Sequence, residues 1–396
     1  MPKKTVADID VEGKRVLLRV DFNVPLNVNS GAISDDSRIR ASLPTIKYLV
    51  DHKAKVIICS HSGRPGGRVV DNLRMAPAAQ RLSQLVGLPV STVSDCIGQE
   101  VESKVGTLQE GDILVLENLR FHPEEEANDP DFARKLARLA DIYVDDAFST
   151  AHRVHASIVG VAKYLPAVAG FLMNKELNVM EKLLHNPERP WGCLIGGAKG
   201  SDKIDLLQNM LRRVDMLLVG GGMTATFLKT QGYETGHSLV EDDKLDLAKK
   251  LLQEAEEWKV PFLLPVDAVV AQEIKAGASI RVVPTTDIPA GSHIVDIGPK
   301  SIVLFHNELR KCRTIMWNGP MGIYEMPQFA QGTRAIASFL STLDATTIIG
   351  GGSSAEVVQE MGLADKMTHV STGGGASLKF LEGATLPGVE VLLDTK

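Results

Sequence analysis

The sequence predicts an α/β protein of two doubly wound parallel-sheet, Rossmann-like domains, joined by a hinge helix and enclosing an interdomain cleft. Three observations carry this. Short, continuously apolar runs alternate with helical patterns along nearly all of the 396 residues, as in a parallel sheet covered on both faces. That alternation is interrupted once, by the amphipathic stretch FLMNKELNVMEKLLHNPERP. A chain of this length also exceeds what one hydrophobic core usually holds.

Taken in order, the first half offers strands at Val16–Val20, Val56–Cys59, Ile113–Leu116 and Ile142–Val144. Helical patterns lie between them at Ala41–Asp51, Ala76–Val86 and Phe132–Ala140. The second half offers strands at Leu194–Ile195, Met216–Val219, Phe262–Leu264, Thr314–Trp317 and Thr347–Ile349. Its helical patterns include Lys203–Leu211, Asp243–Glu256, Gln328–Leu340 and Ser354–Met361. Phe171–Pro190 reads as one helix of about four turns, ended by Asn-Pro and Arg-Pro. The division is therefore a first domain over 1–170, a hinge over 171–190 and a second domain from 191. The acidic run Glu124–Glu126 reads as a solvated loop.

Composition excludes several classes. The chain is 44% hydrophobic and 23% charged, a globular profile, and its formal net charge of −6 argues against a nucleic-acid binder. No apolar run reaches membrane-spanning length, and MPKKTVADID lacks the apolar core of a signal peptide. Cys59, Cys96, Cys193 and Cys312 are widely spaced and form no C-x-x-C, which fits reduced thiols in a cytoplasmic protein.

Ligands of open α/β sheets bind beyond the carboxyl ends of the strands. Asp21 and Asn23 follow the first predicted strand, and His61, Ser62, Gly63 and Arg64 follow the second. Arg120 follows the third, and His152 and Arg153 follow the fourth; Arg38 sits in a separate loop just before the Ala41 helix. One loop arginine is ordinarily a solvated charge. Several strand ends delivering Arg and His to one rim point instead to an anion site, since guanidinium forks bind phosphate and carboxylate bidentately. Asp21 and Asn23 suit a hydroxyl. The implied ligand is small, carries at least two anionic groups and bears a hydroxyl.

The second half carries three triple glycines, Gly220–Gly222, Gly350–Gly352 and Gly373–Gly375, and the loop Gly196–Lys203 with Lys199 and Lys203. Glycine lets the backbone approach a ligand, and helix starts offer amides to anions. One such triplet is equally well a tight turn; four loops in one domain indicate a nucleotide phosphate site. There is no G-x-x-x-x-G-K-[ST], so this is not a P-loop. GGGMTA and GGGSSA match a loose dinucleotide fingerprint, so an NAD-dependent dehydrogenase is the first alternative. Two lysines in one loop suit a polyphosphate better than a nicotinamide.

The segments VLLRVDFNVPL, SHSGRP, LENLRF, DAFSTAHRVHAS, GGAKGSDKI, GGGMTATFL, MWNGPMGIYE and STGGGASLKFLEG resemble the phosphoglycerate kinase family in order and spacing over essentially the whole chain. The resemblance implies reversible phosphoryl transfer between 1,3-bisphosphoglycerate with ADP and 3-phosphoglycerate with ATP. It assigns the phosphoglycerate to Asp21, Asn23, Arg38, His61, Ser62, Gly63, Arg64, Arg120 and Arg153. It assigns ATP or ADP, carried with Mg²⁺, to Lys199, Lys203, Gly220, Gly221, Asn318, Pro320, Glu325, Gly351, Gly352, Ser353 and Ser354. Arg38, Lys199, Lys203 and the amides of Gly373, Gly374 and Gly375 face the moving phosphoryl group in that assignment. It also ends the second domain at 387 and returns 388–396 to the first domain. A monomer is implied, with no nucleic-acid or membrane partner.

Three positions depart from the family pattern. Ser353 stands where an Asp that ligates magnesium is usual, Gly200 replaces a usual Val, and Ser149 a usual Gly. Ser353 keeps a third reading open, a catalytically weak protein that binds both ligands.

Overall fold

The computed structural model describes residues 2–27, 31–200 and 203–395. Ser201 and Asp202 of the Gly196–Lys203 loop lie outside the described residues, as do Met1, 28–30 and Lys396 of the segments 1–170 and 388–396. The chain divides into two compact units. The first runs from the N-terminus to Asn178 and takes in the chain from Thr385 onward; the second is Val179–Ala384.

The first unit holds β1 (Arg15–Arg19), β2 (Lys55–Cys59), β3 (Val90–Thr92), β4 (Ile113–Val115), β5 (Ile142–Asp145) and β6 (Ala167–Ala169). They form one sheet in the order β3-β4-β2-β1-β5-β6, every pair parallel. Val16, Leu18, Val56, Ile58, Val115 and Val144 pack into one core, while Leu17 and Ile57, which alternate with them, are equally buried. A strand buried on both faces needs apolar residues at every position, hence the continuous runs. From Thr385 on, the chain joins this unit: Gly388 N–H donates to the Ala151 carbonyl (2.8 Å) and Lys4 N–H to that of Leu393 (2.7 Å).

The helix Ser37–Asp51 corrects one expectation. Arg38 is in its first turn, not in a loop ahead of it. Pro44 lies in the helix interior, where it deprives the Arg40 carbonyl of its donor. The early start is anchored by Asp36, which accepts from Arg40 Nε (2.8 Å) and from Arg81 Nη2 (2.7 Å). The Glu124–Glu126 run is likewise not a solvated loop. It forms a short helix from Pro123, in which Glu125 is buried and accepts from Ser157 N–H (2.9 Å) and Oγ (2.6 Å).

The second unit holds a second six-stranded parallel sheet, ordered β15-β14-β13-β7-β8-β9. Its members are β7 (Trp191–Ile195), β8 (Met216–Val219), β9 (Phe262–Leu263), β13 (Thr314–Asn318), β14 (Thr346–Gly350) and β15 (His369–Val370). Helices lie on both sides of the two parallel sheets. Periodicity missed a three-stranded antiparallel sheet, β11-β10-β12, built from β10 (Asp267–Ala271), β11 (Ile280–Pro284) and β12 (His293–Ile297). A hairpin with no intervening helix gives no strand–helix alternation, so that signal passes over it. No described helix is long and apolar enough to cross a membrane.

The unit boundary falls inside the helix Phe171–His185. Asp146, just after β5, caps its start by accepting from Leu172 N–H (2.8 Å) and Met173 N–H (3.2 Å). Burial pushes the Asp146 carboxyl up to about 7, against the lowering effect of the Thr45, Met173 and Leu172 donors. On unfolding, this proton is lost at ordinary carboxylate pH. The stability it brings is complete below about 4 and disappears as pH climbs through 7. Asp146→Asn keeps a capping oxygen but no titration. Urea midpoints should therefore shift in favour of the variant, relative to the parent, between pH 4 and pH 8; a pH-independent difference would contradict this.

Candidate functional site

The central strands of the first sheet, β4, β2, β1 and β5, are neighbours in that order, so their carboxyl ends form one row. Arg120 follows β4, His61 to Arg64 follow β2, Asp21 and Asn23 follow β1, and Ser149 to Arg153 follow β5. Hydrogen bonds tie these loops together. Arg120 Nη1 donates to the Gly63 carbonyl (2.9 Å), and Gly63 N–H donates to Asn23 Oδ1 (2.9 Å). Asp21 accepts from Ser149 Oγ (2.5 Å) and pairs with Arg38. This gives Ser149 a role that the sequence left without account.

Sequence reasoning missed Arg19. Its side chain is buried under the row, where Nε donates to Ser157 Oγ (3.0 Å) and Nη2 lies 3.2 Å from His61 Nδ1. The apolar frame of RVLLRV carries no mark separating this arginine from a surface one. Its effect on the row is electrostatic. Burial, followed by the charge of Arg19, holds His61 well below the usual histidine range. Burial, with Arg120, Arg153 and Arg19, takes His155 down to about 4. Burial also lowers Arg120. Burial raises the Asp21 carboxyl, but the Arg38 charge and the Ser149 and Asn23 donors outweigh it, so it lies below its ordinary value. The row thus presents arginine charge and neutral histidine at pH 7. Arg38 is partly exposed, Arg153 half-buried and Arg64 exposed, with no Arg64 ion pair among the described residues. Ser62 is buried, and its carbonyl accepts from Asn118 Nδ2 (2.8 Å).

The second sheet repeats the scheme at its own carboxyl ends. A cavity of about 550 Å³ is lined by Gly197, Lys203, Gly222, Asn318, Pro320 and Glu325, and by Gly351, Gly352 and Ser353. Lys203 Nζ donates to the carbonyl of Gly196 (2.5 Å) and to Asn318 Oδ1 (2.7 Å). Asn318 is buried, and its Nδ2 has no hydrogen-bond partner among the described residues. Lys199 is exposed. Gly351 takes φ +86° at the start of the helix Gly352–Glu360, which no side chain caps, so its first amides are suited to an anion.

The glycine triplets differ in purpose. A Cβ on Gly220 would meet Met321 Sδ at 2.5 Å, and one on Gly221 would meet Gly197 N at 2.6 Å. These glycines let two loops touch; Gly222 also lines the cavity. Gly374 takes φ +49° ahead of the helix Gly375–Leu381, with open space where its Cβ would be. Gly373 N–H donates to Ser371 Oγ (3.0 Å). Ser354 is buried, and its hydroxyl joins Gly319 N–H (2.8 Å) to the Gly350 carbonyl (2.9 Å), so it fixes the loop. The cavity wall at His293, Ile294 and Val295 comes from β12, the strand that periodicity missed. A larger cleft, about 660 Å³ along β10 and β11, holds none of the predicted site residues.

A family model described as phosphoglycerate kinase matches residues 6–384. The chain belongs to the phosphoglycerate kinase family. A phosphoglycerate kinase of Dictyoglomus turgidum is 57% identical over 398 residues, covering 100% of both chains. One of Pelotomaculum thermopropionicum is 56% identical over 394 residues, again covering 100% of both. The phosphoglycerate kinase structure from Coxiella burnetii matches with a TM-score of 0.86 at 39% identity, covering 99% of each chain. That from Pyrococcus horikoshii matches with a TM-score of 0.87 at 33% identity, covering 98% of each. Membership of the phosphoglycerate kinase family displaces the dehydrogenase alternative.

The family resemblance implies magnesium carried on the nucleotide, and the cavity's donors can be tested against that ion. It brings no three metal-ligating side chains together among the described residues. Its side-chain oxygens include the Ser353 hydroxyl and the exposed Glu325 carboxylate. Mg²⁺ is commonly held by one or two protein oxygens with phosphates and water. The donor set fits magnesium carried on a nucleotide and does not fit an all-protein cage.

Proposed function

We propose that this chain is a phosphoglycerate kinase that transfers a phosphoryl group directly between the acyl phosphate of 1,3-bisphosphoglycerate and ADP. The observation that carries this reading is the cross-linked row of Arg120, His61, Asp21 and Arg38 in one unit of a chain that belongs to this family. In this reading the row holds the phosphoglycerate: arginines take its anionic ends, and Asp21 and Asn23 take its hydroxyl. His61 and His155, both neutral at pH 7, contribute hydrogen bonds there but no charge. The cavity of the second unit holds the nucleotide, with Asn318 Nδ2 offering a buried donor to it.

The reaction needs no general base. A β-phosphate oxygen of ADP forms a new P–O bond while the acyl P–O bond breaks, and the electron pair leaves as a carboxylate. In reverse, the attacking carboxylate is already ionised, since its pKa is about 4. Charge spreads over three equatorial oxygens, so the protein's task is positioning and charge stabilisation. Arg38, Lys199 and Lys203, with the Gly373–Gly375 backbone, take that task. Ser353 would hold Mg²⁺ through its hydroxyl, and the ion, when bound with the nucleotide, would supply charge neutralisation at phosphate oxygens. The half-sites lie on separate units, so transfer requires the units to close around the substrates and exclude water. The helix Phe171–His185, where one unit gives way to the other, is the connecting element for that motion. The enzyme is read as a cytoplasmic monomer.

A coupled assay with ATP, Mg²⁺ and 3-phosphoglycerate should show ADP formation that requires 3-phosphoglycerate. Turnover indistinguishable from background would leave only a protein that binds both ligands. Ser353→Asp replaces a neutral donor with a carboxylate, and it should tighten MgADP binding about tenfold, roughly 1.4 kcal/mol. Calorimetric titration of ADP with and without Mg²⁺ checks this; equal affinity in both proteins would remove Ser353 from the metal's surroundings.

A further inference from the structure

We propose that Asp95, Cys96 and His122 form a binding site for a divalent transition metal of the zinc class, separate from the phosphoryl-transfer site. Asp95 and Cys96 lie in the loop after β3, and His122 follows the turn Leu119–Phe121 after β4. β3 and β4 are paired in parallel, so the carboxyl ends of these strands are adjacent. One ligand atom from each of the three residues lies within 4.8 Å of the other two. His122 Nε2 is 2.7 Å from Asp95 Oδ1, which also accepts from Cys96 N–H at 2.6 Å. Cys96 is fully buried, while the side chains of His122 and Asp95 are 27% and 48% exposed. The thiol forms the floor, and the two solvent-facing groups form the entrance.

Beyond an ordinary His–Asp pair, the buried Cys96 sulfur converges on the same carboxylate. Thiolate, imidazole and carboxylate are the three zinc ligand types, and three protein ligands leave a fourth position open. Bonds of about 2.0–2.3 Å in a tetrahedron place ligand atoms roughly 3.3–3.8 Å apart. The trio needs to contract by about 1 Å at its widest, and the His–Asp contact needs to open by about half that. Magnesium is disfavoured here because it takes oxygen donors. Binding converts the Cys96 thiol to a metal thiolate and releases its proton to solvent, and His122 presents a neutral Nε2 lone pair.

Cobalt(II) is the probe. Titrated into the full-length protein in excess Mg²⁺, it should give a thiolate-to-cobalt charge-transfer band that saturates at one equivalent and is displaced by Zn²⁺. Cys96→Ser should abolish the band, and His122→Gln, at a partly exposed position, should weaken binding at least about tenfold. No band in the parent, a band retained in Cys96→Ser, or unchanged affinity in His122→Gln would overturn the site.

Discussion

Replacing Arg38 with alanine should lower kcat by about 10³-fold or more while leaving the urea midpoint close to that of the parent. The magnitude is that of removing an arginine that stabilises a transferring phosphoryl group. The stability expectation follows from position. Arg38 is 39% exposed, and its partner Asp21 keeps the Ser149 hydroxyl and the Asn23 N–H. The guanidinium pairs with Asp21, so in the proposed reading a substrate anion would compete for it or share it. Arg38→Lys restores the charge without the planar fork and should recover only part of the rate. Steady-state kinetics on both variants decide the point. A kcat within tenfold of the parent in Arg38→Ala would reduce this residue to a substrate-row ion pair.

Lys203→Met should cost roughly 10²–10³-fold in kcat/KM for MgADP, the scale of losing one preorganised donor to a developing charge. It should also cost stability. Lys203 Nζ satisfies the Gly196 carbonyl and Asn318 Oδ1, and each buried acceptor left without a donor costs about 1–3 kcal/mol. The two effects separate by measurement: urea midpoint for the fold, and the KM-against-kcat split for the nucleotide. A destabilised variant with unchanged kinetics would make Lys203 a clasp of the Gly196 and Asn318 loops only. Lys199, exposed and four residues earlier, offers the contrast. Its replacement should affect kinetics with little effect on folding.

The core strands of both parallel sheets were legible because strands buried on two faces are apolar at every position, as Val56–Cys59 and Met216–Val219 are. The row of Arg and His residues was legible for a topological reason: in parallel sheets every strand end points the same way. Ends were less legible. The sequence pattern places Arg38 ahead of a helix starting at Ala41, whereas the helix begins at Ser37, where Asp36 is held by Arg40 and Arg81. Glu125 appeared to be one of three solvated acids. Its neighbours in sequence do not reveal Ser157, 32 residues away, whose amide and hydroxyl it accepts.

By itself the sequence determined the alternation that makes two parallel sheets, the residues at their carboxyl ends, and the motifs that place the chain in its family. All of these are properties of short segments. Tertiary structure alone decided which of the described groups are paired and which are not. It buried Arg19 beneath His61, gave Ser149 to Asp21, and turned Ser354 to the backbone while leaving Asn318 Nδ2 unpaired. It also brought β12 to the cavity and Cys96 to His122. Pairing depends on distances between residues far apart in the chain, and burial depends on what the rest of the fold lays over them. Neither quantity exists until the chain is closed.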